Sequence, residues 1–305
     1  MNESLFKPLL EKGIFPIIFS GLVLILSGIF VITQSGTGFF LPHDVNYLGL
    51  TAKELSQYNN GFITKFMFHD RVAYGGSIIS VGIIYMWLAY YPLQAGQKWA
   101  WKLLLCSAII GFGSYLSYLG RGYLDTWHGI STLLLLPIFV IGIIKSKNNQ
   151  LVHSLKYRYQ IDFKSSVGIG HFLLFVTALG IFLAGLTILT LGSTLVFVPT
   201  DLEYMNINIC GLNNITTKLV PLIAHDRANF GGGLATTGLM LTVIIFRHPL
   251  NKNLWECLLL SMGIGFFFAI GIHFVVGYTS FEHLLPAYIG YILFIIGIFL
   301  SRSKK

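Results

Sequence analysis

The chain has 305 residues, of which 54% are hydrophobic and only 10% charged, with a mean hydropathy of +0.73 and a formal net charge of +8. So few charges cannot coat a soluble globule of this size, which points to the lipid bilayer as its surroundings. The Lys and Arg residues punctuate apolar runs instead of clustering, which argues against nucleic acid as a partner. Three cysteines, two of them (Cys106 and Cys257) inside apolar runs, make neither a disulfide framework nor a paired-thiolate site.

Apolar runs long enough for a hydrocarbon core, at ~20 residues each, fall at 14–33, 66–91, 102–119, 127–144, 167–190, 219–246, 254–276 and 283–300. Backbone groups left unpaired in lipid are too costly, so these eight runs are expected to be helices despite their Ile, Val and Phe. The first is read as a span and not a signal peptide, because Glu3 and Glu11 precede it and no small-x-small site follows. With both termini cytoplasmic, fourteen of the twenty Lys and Arg lie on the inner side. The positive-inside bias therefore favours that orientation in the cell membrane. The basic stretch from Lys145 to Lys164 reads as an inner topology anchor.

Three strings are written twice. His69-Asp70-Arg71 followed by Gly75-Gly76 returns as His225-Asp226-Arg227 followed by Gly231-Gly232. Gly122-Tyr123 before His128 returns as Gly277-Tyr278 before His283, and Pro42, Asp44 and Tyr47 return as Pro199, Asp201 and Tyr204. All recur at offsets of 155 to 157 residues, in one order, which reads as an internal duplication. Each half holds an even number of spans and enters the membrane in the same sense. The expected fold is an all-α integral membrane protein of eight spans. It forms two parallel four-helix repeats about a pseudo-twofold axis along the membrane normal. The first repeat is 1–146, the second 166–305, and 147–165 is the linker.

This topology puts His69, His128, His225 and His283 at similar depth near the outer ends of alternate helices. Ionisable groups there are costly and face the bundle interior, where they mark a function or a partner. Two imidazoles per half suit the axial ligation of a heme iron within a helix bundle. On a helix, positions i+4 and i+7 share a face with residue i, so Gly76 and Gly232 offer clearance below His69 and His225. Arg71 and Arg227 lie ~200° round from their histidines. An arginine near a helix N-terminus opposes the helix dipole and calls for an acid. Asp44 and Asp201 are the candidates, beside Asp70 and Asp226, with heme propionates as another partner for the arginines.

Eight spans in two parallel halves, a histidine at the outer end of every even span, and Thr33-Gln34-Ser35-Gly36-Thr37-Gly38 after the first span together resemble the heme A synthase family of membrane oxidoreductases. The resemblance implies that His225 and His283 ligate a structural heme b and that His69 and His128 face a substrate heme. It also implies heme modification, heme transfer or electron transfer with heme or a redox partner. The chain departs from the family in lacking a glutamate one turn before His69, where Lys65 to Phe68 stand, and a loop cysteine pair. It therefore resembles the family in heme binding more than in oxygenase chemistry. Other readings of the same residues are a carrier or channel using the Asp-Arg pairs near the outer mouth, a membrane scaffold, or histidines that only hydrogen-bond inside a duplicated bundle. His171 and His273 read as satisfied core groups.

Overall fold

A computed structural model describes residues 12–121, 123, 126–147 and 162–302, with backbone alone at 117, 118, 121 and 126–128. The described residues form helices and no strands. The long helices are α1 (Ile14–Gly36), α4 (Phe62–Leu88), α5 (Lys98–Tyr115), α6 (Thr126–Lys147), α7 (Ser166–Ser193), α10 (Leu219–Arg247), α11 (Lys252–Val276) and α12 (Phe281–Leu300). Short helices α2 (Pro42–Leu48), α3 (Ala52–Leu55), α8 (Pro199–Met205) and α9 (Ile209–Ile215) lie in the two connections expected on the outer side. The residues 148–161 of the expected linker lie outside the described residues.

Among the described residues, seven helices are long and apolar enough to cross a membrane. The eighth expected run forms α5, a helix of eighteen residues that is not among those seven, because Lys98 and Lys102 in its first turns dilute its apolar run. The spanning windows of α4 and α10 are 83% and 72% buried, against 22–28% for the other five. These two are therefore the inner helices, and the remainder turn wide apolar faces outward, as a lipid solvent allows.

Close approach of backbones holds the inner helices to their neighbours. The glycine pairs Gly75/Gly82 on α4 and Gly231/Gly238 on α10 are each spaced by seven residues. A methyl group at Gly231 or Gly238 would collide with the α7 backbone at Leu189 or Phe182, and one at Gly82 with the carbonyl of Gly21 on α1. In lipid, where apolar surface alone gives no preference between neighbours, such small-residue contacts and the dispersion they allow decide which helices pair. The strongest pairings are α7 with α10 and α1 with α4.

Beyond the pairing of α7 with α12, the next contacts cross from one half of the chain to the other: α4 packs on α11 and on α10, and α10 packs on α5. The inner helix of each half thus meets the third long helix of the other half. Above them, α2 and α8 each start with proline at their first position, where its missing N–H costs nothing. Each carries its aspartate in the first turn, where the helix N-terminus favours negative charge. Asp44 and Asp201 are 1% and 0% exposed, so these short helices deliver carboxylates inward.

Candidate metal centre

His69 lies in α4 two turns in, His273 in the last turn of α11 and His283 in the first turn of α12. Three imidazoles from three helices meet: one ring nitrogen from each can be chosen so that all lie within 4.8 Å of one another. His69 Nε2 is 2.9 Å from His273 Nε2, with the rings edge to face at 4.2 Å between centroids. The ring of His283 is 5.2 Å from that of His273 and 6.4 Å from that of His69.

The opposite nitrogen of each ring is anchored. His69 Nδ1 is 3.1 Å from Asp70 Oδ1, and His273 Nδ1 is 2.7 Å from the carbonyl oxygen of Ala269. His283 Nδ1 is 3.1 Å from Tyr278 Oη, whose own proton goes to Asp201 Oδ1 at 2.9 Å. A carboxylate, a carbonyl and a phenol oxygen whose hydrogen is already donated can only accept. All three Nδ1 atoms therefore carry the hydrogen, and the three Nε2 atoms keep their lone pairs. With both rings neutral, the lone pairs of His69 and His273 face each other at 2.9 Å, a repulsion that a metal ion or a proton shared between them relieves. Tyr278 stays a phenol, because burial and then neighbouring Asp201 push its ionisation upward.

A ring of charges surrounds the histidines and continues across the molecule. Arg227 Nη1 donates to Asp201 and to the carbonyl of Val196, while its Nε faces Asp70 Oδ2 at 3.8 Å. Arg71 makes a two-pronged contact with Asp44 at 2.7 and 3.2 Å and reaches Asp226 at 2.8 Å. Each His-Asp-Arg string thus sends its arginine to the aspartate of the other string and to a loop aspartate. Tyr123 donates to Asp44 at 2.6 Å as Tyr278 donates to Asp201. Burial raises the Asp44 carboxyl, but Arg71 outweighs it and brings the group down to about 2.

No family model matches the chain, and no curated protein or solved structure is similar to it.

Of the histidine pairs expected within each half, His225 and His283 are not brought together, and the pairing of His69 with His128 falls on a side chain outside the described residues. His69 meets two histidines of the second half, because α4 packs against α11. His225 belongs to a different cluster from His283: its ring lies 5.2 Å from that of Tyr123, and its Nε2 accepts from Asn229 Nδ2 at 2.8 Å. The side chain of His128 lies outside the described residues. Gly76 and Gly232 leave no room for a macrocycle, since the space beside them holds Phe268 and Ser114. They serve helix contact instead.

At the described cluster heme b does not fit between His69 and His273, while the expected pair of His69 with His128 lies outside the described residues. Two nitrogens clamping one heme iron stand ~4 Å apart, twice a ~2.0 Å metal–nitrogen bond, with the macrocycle between them. The 2.9 Å between His69 and His273 leaves no such slot, and His225 Nε2 is already engaged by an amide. A bare ion fits better. With bonds of ~2.1 Å, three imidazoles close round it if the cluster contracts by about an ångström.

His273 is the residue that the sequence reading sets aside, because its counterpart in the repeat, Tyr118, is no histidine. The signal for it was present: it is an ionisable side chain in the last turn of an apolar helix, 6% exposed and four residues before Gly277-Tyr278.

Proposed function

We propose that the protein is a multi-pass membrane protein of eight spans, formed by duplication of a four-helix unit. It lies in the cell membrane with both termini cytoplasmic and binds a transition-metal ion at His69, His273 and His283 just beneath the outer face. The observation that carries this reading is the meeting of three imidazoles, one ring nitrogen of each within 4.8 Å of the others, while each Nδ1 has an acceptor. Metal-ligating histidines are held in this way by outer partners, commonly a carboxylate or a backbone carbonyl. The reciprocal pairing of the two His-Asp-Arg strings supports the duplication.

Three imidazoles without thiolate suit zinc, copper, iron or nickel. Three protein ligands leave a further coordination position for water or substrate, as in catalytic metal sites. Asp70 and Asp201 against one Arg227 leave the surroundings with a net negative charge, which favours a cation. The Asp-Arg pairs do not suit an anion carrier, because each arginine already faces two carboxylates.

The test is metal analysis of protein purified in detergent, with and without loading by zinc(II) or copper(I). One equivalent is expected, lost in His273→Ala and His283→Ala and kept in His225→Ala. Folded wild-type protein that takes up neither ion overturns the proposal. A Soret band lost in His225→Ala would restore heme.

A further inference from the structure

On the opposite side of the charged core, α1, the segment leading into α2, and α4 enclose a cavity of about 90 Å³. Its inner wall carries Asp44, Arg71, Asp226 and Asn229, and its mouth lies between Phe30 and Phe39, which are 54% and 67% exposed. The cavity thus has a polar floor and an apolar entrance at the outer end of α1.

The floor is short of donors. Asn229 is 4% exposed, its amide nitrogen is spent on His225 Nε2, and among the described residues no donor reaches its Oδ1. Among the described residues, Asp226, one turn earlier on the same helix, receives Arg71 at Oδ2. Arg71 is shared with Asp44, so two carboxylates face one guanidinium and the floor has a surplus of negative charge. A buried acceptor without a partner is costly, and a buried charge more so. What completes this floor is a compact donor carrying a positive charge.

From this geometry we infer that the cavity binds the ammonium group of an amphiphilic amine, its apolar part leaving between Phe30 and Phe39. An ammonium offers three donors and one charge in a small volume. That matches a carboxylate, an amide oxygen and about 90 Å³ of space. The aromatic rings of Phe68, Tyr74 and Tyr123 in the wall suit a cation as well. A neutral hydroxyl satisfies one acceptor and leaves the charge. This inference does not depend on the metal reading, since none of the three proposed ligands lines the cavity.

Two sources supply such a group, an aminophospholipid headgroup and a free alkylamine, and separate arms of one experiment tell them apart. In detergent, hexylamine is titrated against hexanol with thermal unfolding and equilibrium binding as readouts. In nanodiscs, phosphatidylethanolamine is compared with phosphatidylglycerol, and retained lipid is identified by native mass spectrometry. Hexylamine is expected to bind at least tenfold more tightly than hexanol. Asp226→Asn and Asn229→Leu are each expected to weaken it at least tenfold. Val31→Trp, at the half-buried cavity edge on α1, is expected to block it without touching the polar floor. Selective retention of phosphatidylethanolamine identifies the lipid source, and its absence with hexylamine bound identifies the free amine. Equal binding of hexylamine and hexanol, or unchanged binding in folded Asp226→Asn and Asn229→Leu, overturns the inference, as does a failure of both amine and aminophospholipid to bind.

Discussion

Asp70→Asn isolates the part that charge plays in the histidine cluster. Asp70 is 1% exposed and accepts from His69 Nδ1 at 3.1 Å. Asparagine keeps its size and an acceptor oxygen, so the ring stays oriented while the negative charge goes. Through the imidazole, the carboxylate stands about 6 Å from an ion on Nε2. At an effective dielectric of about 20, this is worth about 3 kcal/mol per unit of ionic charge. Loss of an outer partner of a metal-bound histidine ordinarily weakens binding by about 10–100-fold, or roughly 1.4–2.8 kcal/mol. For a monovalent ion such as copper(I) the two scales agree, so Asp70→Asn is expected to raise its dissociation constant by one to two orders of magnitude, and for zinc(II) by at least as much. Competition against a chromophoric chelator with purified protein reads this directly, and a melting curve controls for folding. An affinity within twofold of wild type in folded Asp70→Asn would refute the reasoning, because the carboxylate would then be inert toward the ion.

Four other expectations follow from the charged core, an exposed ion pair and the helix contacts. Asp44 is held at about 2 in the folded protein against an ordinary 3.8. Its contribution, roughly 2 kcal/mol, is complete above pH ~4 and disappears as pH falls through about 2. The stability gap between wild type and Asp44→Asn in acid titrations should therefore close below pH ~4. Arg71→Met leaves Asp44 and Asp226 buried without their counterion and is expected to cost about 3–5 kcal/mol in denaturant unfolding. Lys252→Met, in an exposed pair 3.8 Å from Glu256, should give no measurable change in the same assay. Gly231→Ala drives a methyl into the α7 backbone and should lower stability by about 1–3 kcal/mol, read as a fall in melting temperature.

Much of the charged core was legible in the letters because three strings are written twice and each copy draws attention to the other. Asp44 and Asp201 stand out by sharing a string with proline and tyrosine, and each lies against the arginine for which an acid was sought. His273 was not legible by that route, because a histidine present in one half alone leaves no repeat. Gly76 and Gly232 were misleading, since small residues below a histidine look the same whether they clear space for a cofactor or for Phe268 and Ser114.

The amino-acid order alone determined where the chain turns helical, which ends of the helices carry ionisable groups, and which short loop strings bring acids to them. These are properties of runs and spacings, and they survive any arrangement of the helices. Only the tertiary structure decided that α4 lies against α11 and α10 against α5, and hence that His69 meets His273 and His283 of the other half. The reason is the solvent. A helix in water reveals its partner through one apolar stripe, whereas these helices are apolar on nearly every face. Glycine contacts, buried ion pairs and shape choose their neighbours.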